Sequence, residues 1–154
     1  MKIRILSIGN KCPGWIKTGF DEYAKRMPRE LPLTLSEMQA PRHHSDPTKY
    51  QQAEAEKLLA QVNKNDWVIA LDEHGKSITS VELASDLKDW QMQGKDIAFL
   101  IGGADGLAQE VLSRANQKIS LSNLTFPHYM VRVILAEALY RAWSIGAGHP
   151  YHRV

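Results

Sequence analysis

A chain of 154 residues can bury most of its apolar surface in one core without splitting, so a single domain over 1–154 is expected. With 44% of residues hydrophobic, 23% charged and no apolar run approaching the length of a membrane span, the composition fits a soluble protein without a membrane partner. The net charge of +2 is too small to mark a nucleic-acid binder by itself, and the one cysteine, Cys12, excludes an internal disulfide and any multi-cysteine metal site, so a cytoplasmic protein is expected.

The opening MKIRILSIGN is too brief and interrupted for a signal-peptide core, and Ile3, Ile5 and Ile8 predict a strand over 2–8. Pro13 opens a helix in which Trp15, Ile16, Phe20, Tyr23, Ala24 and Met27 recur at helical spacing until Pro28. LTLSEM at 33–38 alternates as a strand. Asp46-Pro47 starts a second helix that runs to about Val62. WVIAL at 67–71 is a continuous apolar run, the pattern of a strand buried on both faces, followed by Asp72, Glu73 and a turn at Gly75. Ser80 precedes a third helix that Gly94 stops; IAFLI at 97–101 is a second buried-type strand ending in Gly102-Gly103. A fourth helix is expected over 107–116 and a fifth strand over 119–122. The last helix begins near Pro127 with a broad apolar stripe of Val131, Ile134, Leu135, Ala138, Leu139 and Ala142. Strands alternating with helices predict an α/β fold, a mostly parallel sheet sandwiched by helices. Ligands of such sheets bind beyond the carboxyl ends of the strands, here after Leu71, Ile101 and Leu121.

Three glycines in Ile101-Gly102-Gly103-Ala104-Asp105-Gly106 let a ligand approach the backbone, although the spacing is neither a dinucleotide fingerprint nor a Walker loop. The segment Leu121, Ser122, Asn123, Leu124, Thr125, Phe126 combines apolar side chains with local hydrogen-bonding groups; it suits an adenine slot, or a helix start capped by Thr125. Glu137 and Arg141 are spaced to pair across one helical turn. From Pro127 onward, Arg132, Arg141 and Arg153 face only Glu137 in charge, so this segment carries the whole net +2 and suits an anionic partner. It closes on Tyr151, His152 and Arg153, a dense group of functional side chains in a place where chains usually fray. His43 with His44, and His74 with Asp72 and Glu73, sit as adjacent loop residues that rarely converge on one ion, so no metal is expected.

Together IGGADGL, SLSNLTFPH, RVILAEALYRAWSI and the terminal HPYHR resemble the small SPOUT-class methyltransferases that N3-methylate a pseudouridine in large-subunit (23S) ribosomal RNA, and IRILSIGN and WVIALDEHGK agree. The resemblance implies a SPOUT fold with a C-terminal trefoil knot, a rare exception to the rule against knotted chains. It implies S-adenosylmethionine bound among Leu71, Gly102, Gly103 and the loop Leu121 to Phe126. It also implies a homodimer packed through the last helices and ribosomal RNA, within the ribosome, as partner. By the same resemblance Tyr151, His152 and Arg153 would close over the target base, with His152 as proton acceptor, while Arg141 and Arg132 hold phosphate or imide charge and Glu137 fixes Arg141.

Overall fold

In the computed structural model, which describes residues 1–42 and 45–153, the chain runs β1 (Ile3–Ile8), α1 (Gly14–Ala24), β2 (Leu33–Met38), α2 (Pro47–Ala60) and β3 (Trp67–Ser77). It continues through α3 (Ser80–Gln93), β4 (Ile97–Ile101), α4 (Gln109–Arg114), β5 (Gln117–Ser120) and α5 (His128–Ala147). The five strands form one sheet in the order β2-β1-β4-β3-β5, every neighbouring pair parallel. The α/β architecture read from the sequence is thus the one observed, with the sheet wholly parallel.

Successive side chains of a strand point to opposite faces, and both faces here are buried. Ile3 and Ile5 of β1 and Ile97, Phe99 and Ile101 of β4 join Phe20 of α1, Leu87 and Trp90 of α3, and Leu135 and Leu139 of α5. Leu6, Ile8, Ala98 and Leu100 turn the other way, onto Ala55 and Leu58 of α2 and Val111 of α4. Helices therefore cover both sides of the sheet, and the unbroken apolar runs of the central strands follow from that double burial. Gln117 fastens the layers: its side-chain oxygen accepts from the indole N–H of both Trp67 (2.7 Å) and Trp90 (3.0 Å).

The Asp46 carboxylate accepts from the Thr48 N–H (2.9 Å) and Pro47 occupies the first turn of α2, as its sequence signals require. Thr79, not Ser80, caps α3; its hydroxyl and the Glu82 carboxylate exchange hydrogen bonds with each other's backbone, and the helix stops at left-handed Gly94. Two further expectations need correction. The strand after Leu71 does not turn back at Gly75 but resumes pairing after a bulge, so that Leu71 and Lys76 both stand opposite Ile119. A Cβ at Gly75 would sit 2.7 Å from the Ile119 nitrogen, so glycine is there for close strand approach rather than for a turn. At α5, Thr125 makes no cap; Pro127 takes the cap position, with no side chain bonding to the first turn.

The apolar stripe of α5 is partly turned onto its own chain. Leu135, Leu139 and Ala142 of the stripe are buried in the core, while Val131, Ile134 and Ala138 are half-buried. Half of the stripe is therefore used in folding one chain, and Val131, Ile134 and Ala138 keep part of their surface.

Candidate cofactor cleft and C-terminal cluster

Beyond the carboxyl ends of β3, β4 and β5 lies a cleft of about 700 Å³. Its wall includes Leu71, Gly102, Gly103 and the whole loop from Leu121 to Phe126, so all nine residues expected at a cofactor are brought together. The bulge of β3 adds Asp72, Glu73 and His74, and the start of α5 adds His128 and Val131. The glycine turn is closed by the Gly106 N–H donating to the Gly103 carbonyl (3.1 Å), with Gly106 at a φ of 79° that L side chains rarely adopt. A Cβ on Gly102 would stand 2.8 Å from the Gly106 carbonyl oxygen, while one on Gly103 would strike the Glu54 carboxylate behind the turn. Both glycines thus keep the turn flat from behind, and the Gln51 amide holds it by donating to the Asp105 carbonyl (2.9 Å). In the loop, Ser122 accepts from the Leu124 N–H (2.9 Å), which leaves Leu124 exposed at the rim.

A second group forms at the other end of α5. Left-handed Gly148 ends the helix, and the His149 N–H donates to the Ser144 carbonyl (2.9 Å), folding the tail back along the helix. Tyr151 lays its ring 4.6 Å from that of Tyr140 and donates its hydroxyl to Glu137 (3.0 Å). The same Glu137 oxygen accepts two bonds from Arg141 (2.9 and 2.6 Å), whose guanidinium covers the Tyr151 ring at 5.0 Å. Burial, then the neighbouring Tyr23 and Glu137, push the Tyr151 phenol well above its ordinary range, so it stays protonated as a donor. Ser144 lies within hydrogen-bond distance of both the Arg141 carbonyl (2.7 Å) and Nδ1 of His152 (3.4 Å). With the proton on Nδ1 the ring donates to Ser144 and Nε2 is free to accept; with it on Nε2 the ring accepts from Ser144 instead. Arg153 is exposed.

Glu137, Arg141, Tyr151 and His152 are therefore one cluster, but none of them lines the cleft of the same chain. Val131 at the cleft and Glu137 are six positions apart, roughly 9 Å along the helix. Arg132 belongs to neither group. Its side chain is fully buried, donating to Ser7 Oγ (3.1 Å) and to the carbonyls of Ile8 and Gly9 (both 2.8 Å) and pairing with Glu37. A guanidinium so enclosed ties β1, β2 and α5 together and offers no donor to a phosphate.

The family model described as "Predicted SPOUT methyltransferase" matches residues 1–152. The chain belongs to the SPOUT methyltransferase family. Proteins named "Ribosomal RNA large subunit methyltransferase H" are similar to it end to end. Those of Burkholderia thailandensis and Hahella chejuensis are 52% and 48% identical, each over 99% of both chains. That of Paraburkholderia phymatum is 51% identical over the full length of both. A probable methylase family protein from Haemophilus influenzae shares the fold, at a TM-score of 0.58 and 17% identity, over 99% of this chain and 70% of its own.

Sequence reasoning passed over several residues of this SPOUT chain. Glu54 is 2% exposed, its carboxylate set against the backbone of Gly103 with no side-chain partner among the described residues. Burial, then the charge of Asp105, push its carboxyl up to about 7. Nothing in AEAEKLL separates this glutamate from its solvated neighbour Glu56. Asp72, Glu73 and His74, weighed in the sequence only as metal ligands, line the cleft because of a bulge that is a property of the β3–β5 pairing. Among the described residues no three His, Cys, Asp or Glu side chains gather as a metal site; His43 and His44 lie outside those residues. No described helix is long and apolar enough to cross a membrane.

Proposed function

We propose that this SPOUT chain is an S-adenosylmethionine-dependent enzyme that N3-methylates a pseudouridine of large-subunit ribosomal RNA, acting in the cytoplasm as a homodimer on the ribosome. The observation that carries this reading is the cleft at the carboxyl ends of β3, β4 and β5, walled by the nine residues already named. The names of its relatives supply the substrate class. The cleft fits the cofactor in kind: Leu71, Leu121 and Phe126 offer apolar walls, the glycine turn and the 121–126 loop offer backbone donors and acceptors, and its size suits a small molecule. When bound, S-adenosylmethionine supplies an electrophilic methyl group.

The chain's own residues then do the rest. The ring N–H of a pseudouridine is a weak acid, so the base must be held in line and relieved of its proton. His152, with Nε2 free, takes that proton; Arg141 and Arg153 balance the negative charge on the ring, and Tyr151 and Glu137 hold Arg141 in place. Because this cluster stands away from the cleft of its own chain, the tail of one subunit completes the cleft of the other in the dimer. The trefoil knot of the C-terminal part, and the action of residues 1–154 as one domain, belong to the same proposal. The test is mass mapping of 23S ribosomal RNA from cells lacking the protein, followed by treatment of those ribosomes with purified protein and S-adenosylmethionine. One pseudouridine should lack a methyl group and regain it; unchanged RNA overturns the reading.

A side chain at Gly102 provides a check on the cofactor alone. Gly102→Val directs its branched side chain at the Gly106 backbone, so the turn must be rebuilt. Calorimetry should show S-adenosylmethionine affinity lowered by roughly a hundredfold or more, with circular dichroism unchanged, since a displaced turn loses its contacts to the ligand together. Unaltered affinity would remove the turn from the site.

A further inference from the structure

Behind the glycine turn, on the side away from the cleft, a second cavity of about 430 Å³ is lined by Tyr50 and Glu54 of α2, Gly103 to Asp105 of the turn, and His128 and Tyr129 of α5. Gly103, Ala104, Asp105 and His128 border both cavities, so little more than the thickness of one backbone turn separates Glu54 from the cofactor cleft. A buried carboxyl set against the Gly103 backbone, with no side-chain partner among the described residues, is costly when ionised. A carboxylate there acts on the cleft through its field, across the thickness of one backbone turn.

We propose that Glu54 selects the charge of the cofactor: its carboxylate favours the sulfonium of S-adenosylmethionine over the neutral thioether of the product, S-adenosylhomocysteine. The inference rests on the cofactor assignment made above. The groups facing Glu54 fit it. Tyr50 lies one turn earlier on α2, Asp105 adds negative charge from the turn, and β1 presents only Ile8 and Gly9. The described lining residues include no lysine or arginine that would neutralise the carboxylate. His128 is held below its ordinary range by burial and then by the charge of Arg132, so it is neutral near neutral pH. Arrival of a cation in the cleft then favours ionised Glu54, and the carboxyl, held protonated up to about 7 without it, releases a proton to solvent. Departure of the methyl group removes the cation, weakens this attraction and favours release of the product.

The experiment is calorimetric titration of the wild-type protein and Glu54→Gln with S-adenosylmethionine and, separately, S-adenosylhomocysteine, in buffers of different ionisation enthalpy. Glu54→Gln should bind S-adenosylmethionine on the order of tenfold more weakly, as expected for loss of one charge across a backbone turn, and leave S-adenosylhomocysteine within about twofold. Wild-type affinity for S-adenosylmethionine should rise severalfold between about pH 5.5 and about pH 7, below the titration of the ligands' own amine, with proton release. S-adenosylhomocysteine should show little of this rise, and the Glu54→Gln variant should lack it. Equal losses for both ligands would mean that Glu54 only shapes the turn, and an unchanged pH slope in the variant would assign it to His128; either overturns the proposal. Should the variant fail to fold, the wild-type comparison of the two ligands across pH decides alone. If the wild-type protein binds neither ligand, the cofactor assignment falls first and this inference with it.

Discussion

Arg132→Ala is expected to lower the stability of the protein by about 3–5 kcal/mol, the usual result of removing one partner from a buried ion pair. Four acceptors are left facing one another: the Glu37 carboxylate, the Ser7 hydroxyl and the carbonyls of Ile8 and Gly9. The Ile8 carbonyl and Ser7 hydroxyl lie at the end of β1, where water cannot readily replace a guanidinium, and Gly9 adopts a φ of 105° that presents its carbonyl to the arginine. Glu37 is better placed, since its side chain is one quarter exposed and can recover water. Glu37→Ala should also be destabilising, because it leaves the fully buried Arg132 guanidinium without its counter-charge. Urea unfolding measures both losses, with the Arg132→Ala midpoint displaced downward by more than about 1 M. A variant that unfolds with the wild-type midpoint but no longer methylates RNA would return Arg132 to the surface of action and sink the structural assignment.

Deleting residues 151–154 should leave the sheet, both cores and most of the cofactor affinity intact while methylation falls by roughly two to four orders of magnitude, the range over which a positioned proton acceptor acts. No strand is lost, and of the cleft wall the tail supplies nothing within its own chain. What is lost is the Tyr151 hydrogen bond that steadies Glu137, the His152 ring against Ser144, and Arg153. Single substitutions divide these effects. Both His152→Ala and Arg153→Ala should lower the single-turnover rate, and added imidazole should restore part of the loss in His152→Ala alone, because it replaces a proton acceptor and not a charge. Mixing the truncated protein with Gly102→Val, so that mixed dimers form, should recover part of the activity through the one cleft that has both an intact turn and an intact tail. Full single-turnover activity in the truncated protein would move proton transfer to Glu137 and its neighbours on α5.

The sequence by itself determined the order of elements and the place to look for a ligand. Unbroken runs such as Trp67 to Leu71 and Ile97 to Ile101 can be satisfied only between two helical layers, and a parallel sheet so built opens its ligand site at the strands' carboxyl ends. For that reason the glycine turn and the 121–126 loop were legible as cleft residues before any coordinates. Only the tertiary structure decided what the charged side chains do, since a charge carries no periodic signal of its burial. Arg132 and Arg141 read alike along α5, yet one is enclosed among backbone carbonyls and the other stands half-exposed over Tyr151. Glu54 and Glu56 read alike along α2, yet one is exposed and the other is sealed against the glycine turn. Helical spacing fixes which residues share a face, but what that face meets comes from segments distant in the chain, here the end of β1 at Arg132 and the turn after β4 at Glu54.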